Sequence, residues 1–418
     1  MQKRWDIFCK VVDNFGDIGV CWRLARQLQT EHGLQIRLWI DDIEAARNII
    51  PSLNIYENNQ VCEEITILKW HTEADFSVAA EVVIEAFACE IPMAYLAAMA
   101  QKKSKWVNLE YLSAESWVGD FHTRPSPQAN GLTRYFYFPG FTETTGGLIR
   151  ERDVSSQLGG HANPRPQAGL AMTWLMSFVS LVRCLVVPPE GTRQRGRGAV
   201  ELNLDAAPLS NLSPAYGREA FVVESSEHNL KVSLFCYPNA PIKDFFNALQ
   251  TNSHAVSVYV PESGILPQIT DYFGAETIGA GDYFTRENLH VHILPFLSQA
   301  DYDQLLRDCD LNFVRGEDSW IRAIWAAKPF IWQPYIQDEN AHTKKLDAFL
   351  DVFYAKYDKK HLLCKAHKYW SAGLLPEDVF AEYLQHLPAL KTYTQLQRSQ
   401  LASQPDLAAK LVIFCNNI

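Results

Sequence analysis

The sequence predicts an α/β protein made of two doubly wound, Rossmann-like domains that face one another across a cleft. Three observations carry that prediction. Apolar runs of strand length alternate with segments of helical spacing over residues 5–109, the signature of a parallel sheet covered by helices. The alternation then breaks off, and resumes from residue 231 to residue 332. In each half one strand passes through a Gly-containing polar turn into a helix, at residues 13–19 and 315–319. Turns of that kind stand at the carboxyl rim of an open α/β sheet, where ligands bind.

Length and composition agree with this. At 418 residues the chain can bury two cores, and 47% hydrophobic with 21% charged residues is ordinary globular usage. A net charge of −10 argues against nucleic-acid backbone or an anionic membrane as the main partner. The nine cysteines are odd in number and scattered, with no CxxC and no zinc-ligand spacing, so free, buried thiols in a reducing cytoplasm are expected. The stretch MQKRWDIFCKVV lacks a signal-length apolar core, and no secretion signal is expected.

In chain order, residues 5–12 read as a central strand, residues 13–19 as a turn and residues 20–30 as a helix. Gly16 and Gly19 would let backbone approach a ligand. Asp13 and Asp17 are either helix caps or carboxylates facing the crevice, and the second role would include general-base work. Strands follow at 35–40, 65–70, 81–88 and 105–109, with helices at 43–50 and 93–101. Glu85 and Glu110 are read either as ligand groups or as solvated rim residues. Residues 121–153 lose periodicity and gain turn residues and aromatics, as expected of a long loop or hairpin over the sheet edge that could form an acceptor surface.

Residues 154–225 form an atypical insert between an N-terminal domain of residues 1–153 and a C-terminal domain of residues 226–394. Its apolar stretch, 168–187, is interrupted by Arg183 and diluted by Ser and Thr, which favours a packed helix or a poorly ordered insert over a membrane span. The basic tract 193–197 reads as a solvated linker. In the second domain, strands are expected at 232–236, 255–260, 290–294, 311–314 and 330–332. Asp318 or Ser319 would cap a helix over 320–327, and residues 337–340 another. Helices close the chain, the last over 401–414, with residues 395–418 expected to pack back on the first domain.

The loops after the second domain's strands share one carboxyl rim. There Arg315, Ser319 and helix N–H groups would hold a diphosphate, and Phe235, Tyr237, Phe296 and Tyr302 either flank a base or, as aromatics near strand ends more often do, belong to the core. RGEDS carries more charge than capping requires. No DxD stands where a metal-dependent glycosyltransferase needs it, and no HExxH or P-loop occurs, so no metal and no cofactor are expected. A nucleotide-sugar donor in an interdomain cleft is the reading these features support.

Six segments sharpen it: DNFGDIGVCWRLARQL, VVIEAFACEIP, WVNLEYLSAES, GFTETTGGLIRERD, RGEDSWIRA and KPFIWQPYIQDENAHTKKLDAF. Together they resemble the bacterial protein-arginine rhamnosyltransferases that modify elongation factor P. The likeness covers residues 5–153 and 231–350; residues 154–225 depart from it. The resemblance implies a GT-B fold, a cytoplasmic enzyme, dTDP-β-L-rhamnose as donor, and inverting transfer to an arginine nitrogen of elongation factor P in support of polyproline translation. By position it implies Asp17 as general base with Asp13 its essential neighbour, and Asn14, Phe15, Gly16 and Asp17 along the sugar. Tyr237, Gln299, Arg315, Gly316, Glu317, Asp318 and Ser319 would hold the nucleotide diphosphate, Glu317 being essential, and Phe235, Phe296 and Tyr302 would lie near the thymine. Two other readings stay open on sequence grounds: a nucleotide-sugar epimerase or hydrolase, and a non-enzymatic module that binds a translation factor.

Overall fold

The computed structural model describes residues 3–12, 15–71, 73–152 and 229–418. The expectations for the insert, including its apolar stretch and basic tract, lie outside the described residues, as do Asp13 and Asn14.

The first lobe is an eight-stranded sheet. Its strands are β1 (Arg4–Cys9), β2 (Gln35–Ile40), β3 (Asn59–Cys62), β4 (Ile65–Lys69), β5 (Val82–Ala86), β6 (Lys105–Leu109), β7 (Pro125–Pro127) and β8 (Thr133–Tyr137). The order is β3-β4-β2-β1-β5-β6-β8-β7. The six strands from β4 to β8 run parallel, and β3 and β7 close the edges antiparallel. β1 is buried along five of its six residues, as a strand covered on both faces must be. Chain order reverses between β1 and β5, which opens a crevice beyond their carboxyl ends.

The second lobe repeats the plan with β9 (Leu230–Leu234), β10 (Val256–Pro261), β11 (Tyr283–Arg286), β12 (Leu289–Leu294), β13 (Leu311–Arg315) and β14 (Phe330–Gln333). The order is β11-β12-β10-β9-β13-β14, parallel except for β11. Its switch point lies between β9 and β13.

Five helices bear on the cleft: α1 (Gly16–His32), α2 (Gln299–Asp308), α3 (Asp318–Ala326), α4 (Ala341–Phe353) and α5 (Leu407–Asn417). α1 starts four residues earlier than its apolar spacing suggests, so Gly16, Asp17 and Gly19 are its first turn instead of a loop. It stops at Gly33, which takes φ 64°, a left-handed cap that costs glycine little. Residues 121–153 do contain a hairpin, but β8 joins the sheet edge beside β6 instead of lying over it. Two short antiparallel edge strands, β3 and β11, escaped the sequence reading because four residues carry too little periodicity.

The last helix is shorter than expected, because Pro405 separates it from the helix Leu387–Ala402 and Asp406 caps the new start by accepting from the Ala409 N–H at 2.9 Å. α5 returns to the first lobe. The Leu407 N–H donates to the Leu148 carbonyl at 2.9 Å, and Lys105 Nζ to the Cys415 carbonyl at 2.6 Å. Among the described residues eight cysteines are free, seven of them buried, and no helix is long and apolar enough to cross a membrane.

Candidate active site

The central turns of the two lobes meet at a cleft of about 660 Å³. β13 ends at Arg315, Gly316 turns the chain with φ 60°, and α3 begins at Asp318. Glu317 stands at the N-cap position and no side chain caps the helix, which leaves its first-turn N–H groups to an anionic ligand. The expected cap Ser319 has another role. Its Oγ accepts from the Arg315 N–H at 3.0 Å and donates to the Arg315 carbonyl, clamping the turn.

Phe15, Gly16, Phe235, Tyr237, Phe296, Gln299, Tyr302 and all of Arg315, Gly316, Glu317, Asp318 and Ser319 line this one cleft. The Arg315 guanidinium lies over the rings of Phe235 and Tyr237, 4.4 and 4.6 Å from their centroids, and cation–π attraction holds it at the rim. Phe235 meets Tyr302 edge-on at 5.5 Å, and Phe15 meets Phe296 at 4.9 Å. Gln299 crosses between the lobes, its Nε2 donating to the Gly19 carbonyl at 3.1 Å. That approach needs Gly19: a Cβ there would sit 3.3 Å from Asp318 Oδ2 and 3.4 Å from Gln299 Nε2.

Asp17 is buried in the first turn of α1. Its carboxylate accepts from the Val12 N–H at 2.8 Å and from the Tyr111 hydroxyl at 3.0 Å. The Tyr111 ring is itself stacked on Phe87, 4.2 Å between centroids at 9°. Glu317 accepts from the Leu112 N–H at 2.9 Å, with Lys345 Nζ 4.0 Å away. Burial pushes the Glu317 carboxyl up to about 7, against the pull of Lys345 and of the Leu112 hydrogen bond, with Asp17 and Asp318 adding to the rise. A carboxyl poised there can exchange a proton near neutral pH.

Asp318 is the predicted site residue whose role changes most. It accepts from Arg23 Nε at 2.7 Å, within a buried cluster that sequence reasoning missed. Arg23 also donates to Asp303 at 3.0 and 3.1 Å and to Glu151 at 3.4 Å. Arg322 donates to the same two carboxylates at 2.5 to 2.9 Å. Burial raises the Glu151 carboxyl, yet Arg322 and Arg23 outweigh it and bring it down to about 2. The cluster ties α1, α2, α3 and the segment before the insert together. A signal existed in the sequence: Arg322 interrupts the apolar run WIRAIWAA, and a charge on a buried helix face requires partners. The cluster also takes up Asp303 of the DYD at residues 301–303, while Asp301 accepts from Ser298 Oγ at 2.6 Å.

Glu85 is neither solvated nor on the cleft. Its carboxylate accepts from Trp106 Nε1 at 3.0 Å and pairs with Arg134 at 3.5 Å. Glu110 accepts from Asn108 Nδ2 at 2.5 Å.

Two Rossmann-like lobes with a ligand cleft between their carboxyl rims make the GT-B fold, so the class is that of the GT-B glycosyltransferases. Over residues 5–178 and 205–416 the chain matches the family described as Elongation-Factor P (EF-P) rhamnosyltransferase EarP, and it belongs to that family; of residues 154–225, expected to depart from it, only 179–204 fall outside the match. It is 38% identical over 421 residues to a protein-arginine rhamnosyltransferase of Pseudomonas putida, covering 100% of both chains. With one from Neisseria meningitidis it shares 34% identity over 421 residues, 98% of this chain and 96% of that one. A solved structure concerned with EarP-mediated arginine glycosylation of translation elongation factor EF-P is 29% identical, with a TM-score of 0.60 over 100% of this chain and 99% of that one.

Proposed function

We propose that this protein transfers L-rhamnose from dTDP-β-L-rhamnose to an arginine side chain of EF-P, with inversion and without a metal ion, in the cytoplasm and in support of polyproline translation. The observation that carries the reading is the junction of two kinds of chemistry. An anion-binding turn with aromatic flanks shares its cleft with Glu317, and the carboxylate of Asp17 is fixed at the adjoining helix start.

In this reading the thymine lies among Phe235, Phe296 and Tyr302. The diphosphate is met by Arg315, Gln299, the Tyr237 region and the α3 N-terminus, whose charge stabilises the departing dTDP. With the phosphate charge answered by protein groups, no divalent ion is needed. The first lobe carries the acceptor side, the second the nucleotide side. A guanidino nitrogen attacks the anomeric carbon as the bond to the diphosphate oxygen breaks, and the nitrogen's proton passes to Asp17. Arginine's pKa lies above about 12 and a free aspartate's near about 4, so deprotonation before attack is unfavourable. Asp17 acts by orienting the guanidinium and taking the proton as the C–N bond forms. Asp13 neighbours it in sequence and belongs to the same proposal.

Intact-mass spectrometry of EF-P after incubation with this protein and dTDP-β-L-rhamnose tests the reading. A gain of one deoxyhexose, mapped to arginine, is expected. Unmodified EF-P alongside intact donor binding would overturn it.

A further inference from the structure

A second pocket of about 590 Å³ shares Gly316 and Glu317 with the nucleotide cleft and otherwise has its own lining. Four aromatic residues contribute, Tyr111, Trp320, Trp332 and Tyr335, and so does Lys345. Lys345 belongs to α4, and its ammonium is 5.3 Å from the Tyr111 ring centroid and 4.0 Å from Glu317 Oε2. A carboxylate and an aromatic face are the two partners a cation seeks in a partly dry site. The pocket thus offers both partners to a cation, and one of the protein's own side chains stands against them at its wall.

The fit is loose. At 4.0 Å the Glu317 contact is beyond hydrogen-bonding reach. Burial depresses the Lys345 pKa, with Glu317 and Glu115 opposing. A strongly hydrated ammonium on a flexible stem is poorly matched to aromatic walls, whereas a guanidinium is planar, weakly hydrated and stacks on rings. Tyr111 links this pocket to the base, since its ring faces Lys345 and its hydroxyl donates to Asp17. Val12, whose N–H holds the other Asp17 oxygen, also lines the pocket.

The geometry points to this pocket as the entry for the acceptor arginine, and to Lys345 as a resident cation that holds the Tyr111 ring and Glu317 until the arginine displaces it from them. The inference rests on the proposed arginine rhamnosyltransferase reaction. It gives Lys345 a part in specificity: an incoming guanidinium gains more from the Tyr111 ring and Glu317 than the ammonium it replaces, and an incoming lysine gains nothing.

Steady-state kinetics of the full chain with EF-P and dTDP-β-L-rhamnose test it, using Lys345→Met and Lys345→Arg. Lys345→Met removes the competitor and lowers KM for EF-P several-fold. Lys345→Arg installs a better-fitting competitor and raises that KM several-fold. The diagnostic change is in the KM for EF-P, because Lys345 lines the second pocket and not the nucleotide cleft. A lysine that merely anchors α4 gives the opposite order, with arginine rescuing and methionine impairing. Lys345→Arg keeps the charge and the fold, so an unchanged or lower EF-P KM in that variant alone overturns the inference. If the wild-type protein transfers nothing, the reading above fails and this inference falls with it; transfer with the wrong order of variants sinks this inference only.

Discussion

The first turns of α1 and α3 approach each other at the cleft, and each carries an aspartate at nearly the same place. Neither helix has a side-chain cap; Asp17 is buried and Asp318 half-buried. Their partners differ. Asp318 receives an arginine, Arg23 Nε at 2.7 Å. Asp17 receives neutral donors, the Val12 N–H and the Tyr111 hydroxyl. An arginine neutralises a carboxylate and makes it a tie between lobes, whereas the Val12 N–H and the Tyr111 hydroxyl fix the direction of the Asp17 carboxylate. In the proposed reaction this contrast separates a structural acid from a reactive one at nearly matching positions.

The comparison breaks most decisively at Asp17. Asp17→Asn keeps the shape and removes the proton acceptor, and rhamnosylation of EF-P is expected to fall by ~10²–10⁴-fold while donor still raises the melting temperature. Normal turnover in that variant would remove Asp17 from the base role. On the other side of the contrast, Arg322→Ala leaves Asp303, Glu151 and Asp318 to share the single guanidinium of Arg23. A loss of about 3–5 kcal/mol of stability is expected, read by urea unfolding.

Glu317 sharpens the picture through pH. Its folded pKa is raised from 4.5 to about 7, so the unfolded chain loses the proton first. Its contribution is fully present below the unfolded value and is lost as pH rises through about 7. At about 1.4 kcal/mol per tenfold change in acidity, the loss is of order 3 kcal/mol. Glu317→Gln should therefore raise the melting temperature near pH 8 and leave it nearly unchanged near pH 5, while impairing transfer. The smallest effect is expected at Tyr111→Phe, which removes one hydrogen bond to Asp17, worth about 1.5 kcal/mol or roughly tenfold in kcat/KM, with the ring's stacking on Phe87 retained.

Much of this was legible in the chain. Parallel strands covered on both sides announce themselves as continuous apolar runs, which is why β1, β2, β6, β9 and β13 fall close to where periodicity places them. The site was legible through chemistry gathered at strand ends, DNFGD and RGEDS, and its residue roles came from family resemblance. Helix starts were less accessible: Gly16 and Gly19 look like turn residues, and only the tertiary need for a close helix approach explains glycine inside α1. The ion cluster joins residues far apart in sequence, Arg23 to Asp303 and Glu151 to Arg322. Local pattern cannot pair them. Tyr111 and Lys345 left no mark either, because their roles are set by what stacks on them and faces them across the lobes.

Gly19 acts as a gauge for how wide the enzyme stands. Its missing side chain is the clearance that lets Gln299 and Asp318 close on α1. A single methyl group there would be a wedge against Asp318 and Gln299, holding the lobes slightly ajar and pressing on the rim of the nucleotide cleft. Such a wedge alters every distance between donor and acceptor at once, and the reaction would register it as misalignment.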